Sequence, residues 1–252
     1  MNGIILKDDA RYVHTENYLR SKGYVFDGEA SLDFIIFPFK EGIDETKYDD
    51  KFFAALGKGT KIFSGIRNAY ITKKCERHGL DYRALMEDRG VAIKNAVPTS
   101  EGVISYLIAN RDETIANSRI LVIGYGICGR DLCKRLAELG AKVSALVRSR
   151  EKECTAYSAG IKPVYLSEPK EHFDVIINTA PAPVLTDEML ERTNGALLID
   201  IASGPFGFDI SLAQKLNEKS ARLLGIPGKC AVKTAGKILA EYIHEILNGG
   251  LR

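Results

Sequence analysis

Short apolar runs recur along the chain, and helix-spaced amphipathic stretches separate them. Residues 3–7 (GIILK) open the series and lead into a helical pattern that ends at Gly23. Residues 33–39 (DFIIFPF), 61–65 (KIFSG) and 91–95 (VAIKN) read as further buried strands. Continuous apolar runs of this length, alternating with helical periods, predict parallel sheet covered by helices. Residues 98–116 then predict a long helix, with Pro98, Thr99, Ser100 and Glu101 as its start signals: a hydroxyl to cap, a proline and an acid in the first turn.

A second series begins near Arg119: ILVIGYG, KVSALVR, KPVYL, DVIINTA, ALLIDIA and ARLLGI, again with helical stretches between them. A last helix is predicted from about residue 230 to 247, with Ile238, Leu239, Ile243 and Ile246 on its apolar face. The fold class expected is α/β, with two parallel-sheet domains, the second a Rossmann-type dinucleotide-binding domain. The expected boundaries are 1–97 for the first domain and 117–229 for the second. The 98–116 helix joins them, and the 230–252 helix returns to complete the first.

The second series carries the chemistry. Gly124, Gly126 and Gly129 form Gly-x-Gly-x-x-Gly with Tyr125, Ile127 and Cys128 between them, directly after an apolar strand and opening an amphipathic helix. In such a loop the first glycine makes the tight turn. The second lets the backbone approach a pyrophosphate, and the third lets helix pack on strand, while the helix N-terminus offers amides to the phosphates. An acid some twenty residues further on, which would hold both ribose hydroxyls of NAD, is missing; Arg148, Ser149 and Arg150 stand there. Arginine presents a fork of donors to phosphate, so this end predicts NADP. A solvated charged turn is the alternative, in keeping with Glu151, Lys152 and Glu153 just beyond. Asn178, Thr179 and Ala180 end one later strand and Ser203 follows another, so both fall at the edge where α/β sheets bind ligands, although such residues also make ordinary turns.

Composition narrows the class. The 252 residues carry a net charge of +2, with 45% apolar and 27% charged residues, so no global field selects nucleic acid or an anionic membrane. No apolar run has the length of a membrane span, and the opening residues do not form a secretory signal. With five cysteines in no framework spacing, a reducing cytoplasm is the expected compartment. Cys75 and His78 have the spacing of half a metal site without a second half, so no metal is expected. Cys128 at a helix N-terminus invites a depressed thiol pKa, against the plainer role of a small packing residue. Asp8, Asp9 and Arg11, at the end of the first strand, read equally as ligand-facing groups or as a solvated helix start.

Six segments in one order carry a resemblance: FSGIRNAY (63–70), NAVPTSEG (95–102), IGYGICGR (123–130), INTAP (177–181), IDIASGPFG (199–207) and IPGKCAVKTAG (226–236). Together they resemble the A subunit of dipicolinate synthase over nearly the whole chain. The Pro-Thr-x-Glu-Gly and Lys-Thr-Ala-Gly elements are the more specific. The glycine loop alone also fits S-adenosylhomocysteine hydrolases and D-2-hydroxyacid dehydrogenases, but the chain is short for the former and lacks a convincing Arg…Glu…His set of the latter.

The resemblance implies NADP-dependent oxidation of a dihydrodipicolinate-type ring to pyridine-2,6-dicarboxylate, in the mother cell of a sporulating bacterium. It also implies a partner, the flavoprotein-like B subunit of dipicolinate synthase; a homo-oligomer is open, and nucleic acid and membrane are not expected partners. Carried over by motif, Gly124, Gly126, Gly129, Arg148 and Ser149 hold the cofactor, and Asn178, Thr179 and Ala180 lie beside its nicotinamide. Ser64, Thr99, Ser100, Glu101, Ser203, Lys233 and Thr234 line a cleft for a small dicarboxylate, with backbone amides of the 98–101 helix start among its donors. Three departures stand out: Ile127 and Gly204 where the family has arginine, and Lys7-Asp8-Asp9-Ala10-Arg11 where it has Gly-Gly-Asp-x-Arg. Lys229, Lys233 and Arg67 are candidates to compensate. The segment 40–47 is shorter than in relatives. Two rival functions remain at this point: another NADP-dependent dehydrogenase of a small carboxylate, and a cofactor-binding subunit without turnover of its own.

Overall fold

The structure is a computed structural model and describes residues 1–28, 31–39, 42–165 and 172–250. The end of the KPVYL strand at Leu166, the start of the shortened segment at Lys40 and Glu41, and Leu251 and Arg252 lie outside the described residues. The chain divides into two compact units, Met1–Asn95 with Pro227–Arg252, and Ala96–Ile226.

The first unit runs β1 (Gly3–Ile5), α1 (Arg11–Ser21), β2 (Phe34–Ile36), α2 (Asp50–Ala55), β3 (Lys61–Ser64), α3 (Ala69–His78) and β4 (Asp81–Ala84), and it contains the start of α4 (Arg89–Asn110). Its four strands are all parallel and lie in the order β1-β2-β3-β4. The second unit continues with β5 (Arg119–Ile123), α5 (Ile127–Glu138), β6 (Lys142–Leu146), α6 (Arg150–Ser158), β7 (Lys162–Val164), β8 (Val175–Asn178), α7 (Asp187–Glu191), β9 (Leu197–Asp200), α8 (Ile210–Leu216) and β10 (Ala221–Arg222). The short α9 (Pro227–Cys230) and α10 (Val232–Leu247) return to the first unit.

The second sheet has six parallel strands in the order β7-β6-β5-β8-β9-β10. This is the doubly wound arrangement, in which strand order reverses between β5 and β8 and opens a crevice beyond their carboxyl ends. Ile120, Val122, Leu132, Leu136, Val175, Ile177 and Ile199 fill the core on one face, and Leu121, Ile123, Ile176, Leu198 and Phe208 that on the other. Burial on both faces explains why these strands read as continuous apolar runs rather than alternating ones.

One prediction is corrected here. Residues 91–95 are not a strand, and no helix starts at Pro98: α4 begins at Arg89, and Pro98 lies inside it. Asp88 supplies the start, its Oδ1 accepting from the amide of Val91 at 2.9 Å. The buried positions Val91, Asn95, Ala96, Val103 and Leu107 keep to helical spacing through the proline. A short β-branched run cannot by itself be told from a helix turn, and the strand expected there is β4, whose sequence DYRA is too polar to announce itself.

α10 lies on α1, and the close approach depends on Gly236: a Cβ there would run into the Arg11 carbonyl oxygen. The buried Thr15 hydroxyl, between the Arg11 and Gly236 carbonyls at 3.1 and 3.0 Å, ties the two helices together. Ile238, Leu239, Ile243 and Ile246 join Tyr12, Leu19, Phe34 and Phe63 in one cluster.

Candidate functional site

The three glycines of the loop are under different constraints. Gly124 has φ +93°, a conformation side chains rarely adopt, and a Cβ on it would also come within 2.9 Å of Thr179 Oγ1. A Cβ on Gly129 would strike the Gly124 carbonyl oxygen, so that glycine is required by the packing of α5 on the loop. Gly126 is exposed, with φ −83°, and a Cβ there would meet nothing within 4 Å. Packing gives no reason for glycine at this position; a ligand lying against the backbone would. No side chain caps α5 at Gly126, so the first-turn amides of Ile127, Cys128 and Gly129 point out of the helix end for an anion. A dinucleotide pyrophosphate fits these features.

Of the residues between the glycines, Tyr125 is buried and belongs to the apolar core, while Ile127 and Cys128 are half-buried. Burial raises the Cys128 thiol pKa, with Asp131 adding to it, in keeping with a small packing residue rather than a depressed thiol.

The β8 loop closes the other side of the crevice. Thr179 Oγ1 donates to the Ile123 carbonyl at 2.9 Å and lies 3.3 Å from that of Gly124, fixing this loop to the glycine turn. Asn178 is wholly buried. Its Nδ2 donates to the Ala180 carbonyl at 2.9 Å and to Asp200 Oδ1 at 2.8 Å, and its Oδ1 accepts from the Ala180 amide at 3.2 Å. The expectation that Asn178 itself lies against the nicotinamide is therefore corrected: its side chain shapes the loop from below, leaving the half-buried Thr179 and Ala180 as the surface.

Asp200, which sequence reasoning missed, is the centre of this edge. It pairs in register with Asn178 at the ends of neighbouring strands and is 0% exposed. Besides Asn178, it accepts from the Ala202 amide at 3.1 Å and the Gly207 amide at 3.0 Å, holding both ends of the loop after β9. A Cβ on Gly207 would run into the Asn178 side chain. An acid closing an otherwise apolar run, ALLID, was the available signal. Ser203 stands exposed on this loop.

At the end of β6, Arg148, Ser149 and Arg150 are all exposed. Arg148 forms no ion pair among the described residues. Ser149 does more than offer a hydroxyl: it is the N-cap of α6, its Oγ accepting from the Lys152 amide at 3.4 Å.

The substrate-side residues fall in both units. In the second, Thr99 and Ser100 are mid-helix, so their amides belong to the helical ladder; the free amides expected at that place do not exist. Ser100 is 1% exposed, and its hydroxyl has no hydrogen-bond partner among the described residues; Glu101 is exposed. In the first unit the Ser64 hydroxyl donates to the Ile66 carbonyl at 2.7 Å and lies 2.6 Å from the Tyr82 hydroxyl, so it is engaged within its own sheet. Lys233 and Thr234 are exposed in the first turn of α10. Arg11 is neither solvated nor loose: it is 4% exposed, bound by Nε and Nη2 to Asp9 at 2.7 and 2.8 Å, and stacked 3.6 Å over Phe39. Arg67 pairs with Glu87. His78 Nε2 lies 3.3 Å from Asp50, and Cys75 is buried. At the opposite, amino-terminal edge of the second sheet, a depression of about 580 Å³ is lined by Asn110, Ser118, Asp174 and Lys219, away from the glycine loop.

Residues 100–226 match the family described as D-isomer specific 2-hydroxyacid dehydrogenase, NAD binding domain. The chain is 37% identical over 190 residues to the A subunit of dipicolinate synthase from Bacillus subtilis, covering 74% of this chain and 64% of that relative, so the match spans less than two thirds of the curated protein's length. The chain belongs to the family of dipicolinate synthase A subunits, within the 2-hydroxyacid dehydrogenase NAD-binding superfamily. Two solved members of this family of A subunits agree in fold. The one from Bacillus subtilis superposes with a TM-score of 0.89 at 28% identity, covering 99% of this chain and 96% of that one. The one from Bacillus halodurans gives 0.87 at 28%, covering 98% and 97%. The second unit is accordingly an NAD(P)-binding domain of dehydrogenase type. No described helix is long and apolar enough to cross a membrane.

Proposed function

We propose that the chain is the A subunit of a two-component dipicolinate synthase and oxidises a dihydrodipicolinate-type ring to pyridine-2,6-dicarboxylate with NADP, in the cytoplasm of a sporulating cell. The observation that carries the reading is the open cradle at Gly126, at the switch point of the second sheet, in a chain of this family.

When bound, the cofactor supplies a hydride acceptor; oxidation of the ring delivers one hydride to it and one proton to solvent. The chain's own part is placement. Gly124, Gly126, Gly129 and the first amides of α5 receive the pyrophosphate. Arg148, which forms no ion pair among the described residues, takes the ribose 2′-phosphate with Arg150, and the Ser149 hydroxyl, while capping α6, still has a proton to donate. Thr179 and Ala180, set by Asn178 and Asp200, form the wall for the nicotinamide. Ser203, Lys233, Thr234 and the helix residues Thr99 to Glu101 remain the proposed substrate-side residues. Aromatisation makes ring oxidation downhill, so holding the ring beside the cofactor is the main task.

A second reading keeps NADP and changes the substrate to another small carboxylate; the absence of arginine from residues 201–209 favours it. Mixing the chain with NADP and freshly generated dihydrodipicolinate, with and without a flavoprotein-like B subunit, separates the readings. NADPH production by the pair supports the synthase. Activity of the isolated chain shows it to be more than a cofactor-holding component. No NADPH under either condition refutes the proposal.

A further inference from the structure

The loop after β9 contains no cation of its own, yet one is lodged against it. Arg222, the last residue of β10, pairs in register with Asp200. Its guanidinium lies flat on Phe206, 3.6 Å from the ring centre, and its Nη2 donates to the Phe208 carbonyl at 3.1 Å. Nε lies 3.7 Å from Asp200 Oδ2, beyond hydrogen-bonding distance, and is buried with no partner among the described residues. Nη1 has no partner among them either, and the side chain remains 22% exposed. The Asp200 carboxylate accepts from three other N–H donors and makes no hydrogen bond to Arg222. It therefore fixes the arginine by charge without occupying the guanidinium's donors.

The result is a cation held in one orientation by a ring, a carbonyl and a buried charge, at the ligand-binding edge of the sheet, with donors left over. A purely structural arginine would have its donors satisfied by the protein. We infer that Arg222 binds a carboxylate of the substrate in the second unit, supplying from β10 the charge that the loop at Gly204 lacks. The inference names a contact of the site proposed above and rests on that reading for the identity of the substrate, though not for its chemical class. Because the guanidinium is oriented before binding, little side-chain entropy remains to be lost when the carboxylate arrives.

The test is calorimetric titration of the full chain, saturated with NADPH, with dipicolinate, picolinate and malate. Arg222→Gln weakens dipicolinate binding at least tenfold and leaves NADPH affinity within twofold of the parent. Phe206→Leu, which removes the shelf and keeps the charge, weakens it three- to tenfold. Arg222→Lys also keeps a charge beside Asp200 and decides the matter if the glutamine variant does not fold: a loss of at least threefold supports the assignment. Dipicolinate affinity unchanged in Arg222→Lys or Arg222→Gln overturns it. So does a parallel loss of NADPH affinity, which marks a structural role through Asp200. If the parent binds malate but not dipicolinate, and does so through Arg222, the substrate reading fails and the carboxylate contact stands. If the parent binds none of the three, both fail.

Discussion

Replacing Gly126 with valine separates what the fold requires from what a ligand requires. The added carbons enter open space, since a Cβ at this position has no neighbour within 4 Å. The backbone there, φ −83° and ψ −160°, is extended and suits a β-branched residue. Position 126 is also the N-cap of α5, where glycine is moderately favoured, so the expected loss of stability is about 1 kcal/mol or less. Binding is another matter. If the pyrophosphate lies on this backbone, the side chain holds it away from the amides of α5, removing two or more charge-assisted hydrogen bonds of about 1.5–3 kcal/mol each. Affinity for NADP then falls by at least about a hundredfold. The other two glycines are the controls. Gly129→Ala drives a methyl into the Gly124 carbonyl and Gly124→Ala imposes strain at φ +93°; each costs about 1–3 kcal/mol of stability. Urea unfolding and fluorescence titration with NADPH on the three variants give the comparison. A Gly126→Val protein that binds NADPH like the parent shows that the loop is not the cofactor site. One that unfolds as readily as Gly129→Ala shows that the cradle is not open.

Other expectations follow from the same geometry. Arg148→Ala reduces the preference for NADP over NAD at least about tenfold, by loss of one charge-assisted contact, without lowering the melting temperature, because Arg148 forms no ion pair among the described residues; equal affinity of the parent for both cofactors refutes the assignment. Asp200→Ala leaves three donors without their acceptor and a nearby guanidinium without its counter-charge, and urea unfolding should show a loss of about 3–5 kcal/mol; a loss below about 1 kcal/mol denies that this edge is organised around it. Lys233→Ala raises the apparent KM for substrate roughly ten- to a hundredfold with little change in NADP affinity, and an unchanged KM removes Lys233 from the site. Burial pushes the thiols of Cys75 and Cys133 up to about 12, so at pH 8 both are protonated and unreactive, whereas the exposed Cys154 and Cys230 are modified before them; rapid alkylation of Cys133 in the folded chain contradicts its burial.

The doubly wound sheet was legible because both of its faces are covered: β5, β8 and β9 read as unbroken apolar runs, and the loop glycines follow directly. The path from 81 to 101 was not. β4 carries a polar sequence, and VAIKN has the composition of a strand while α4 takes it up from Asp88, so a helix start assigned to Pro98 placed free amides where the ladder uses them. At the site, residues joined by local spacing were found, the glycine loop above all. Asp200 and Arg222 were missed because their roles come from neighbours on other strands: Asn178 across the ladder, and a Phe206 ring sixteen positions before the arginine. Spacing along one strand carries no record of such pairings.

The central claim, hydride transfer from a dihydrodipicolinate-type ring to NADP, is tested most directly by the stoichiometry of a single reaction. The chain, with its B subunit, is mixed with NADP and freshly generated dihydrodipicolinate, and NADPH and dipicolinate are followed together by absorbance. Equal amounts of the two should accumulate, far more slowly when NAD replaces NADP or Gly126→Val replaces the parent chain. Dipicolinate appearing at the same rate without NADP, or without matching NADPH, would contradict the account.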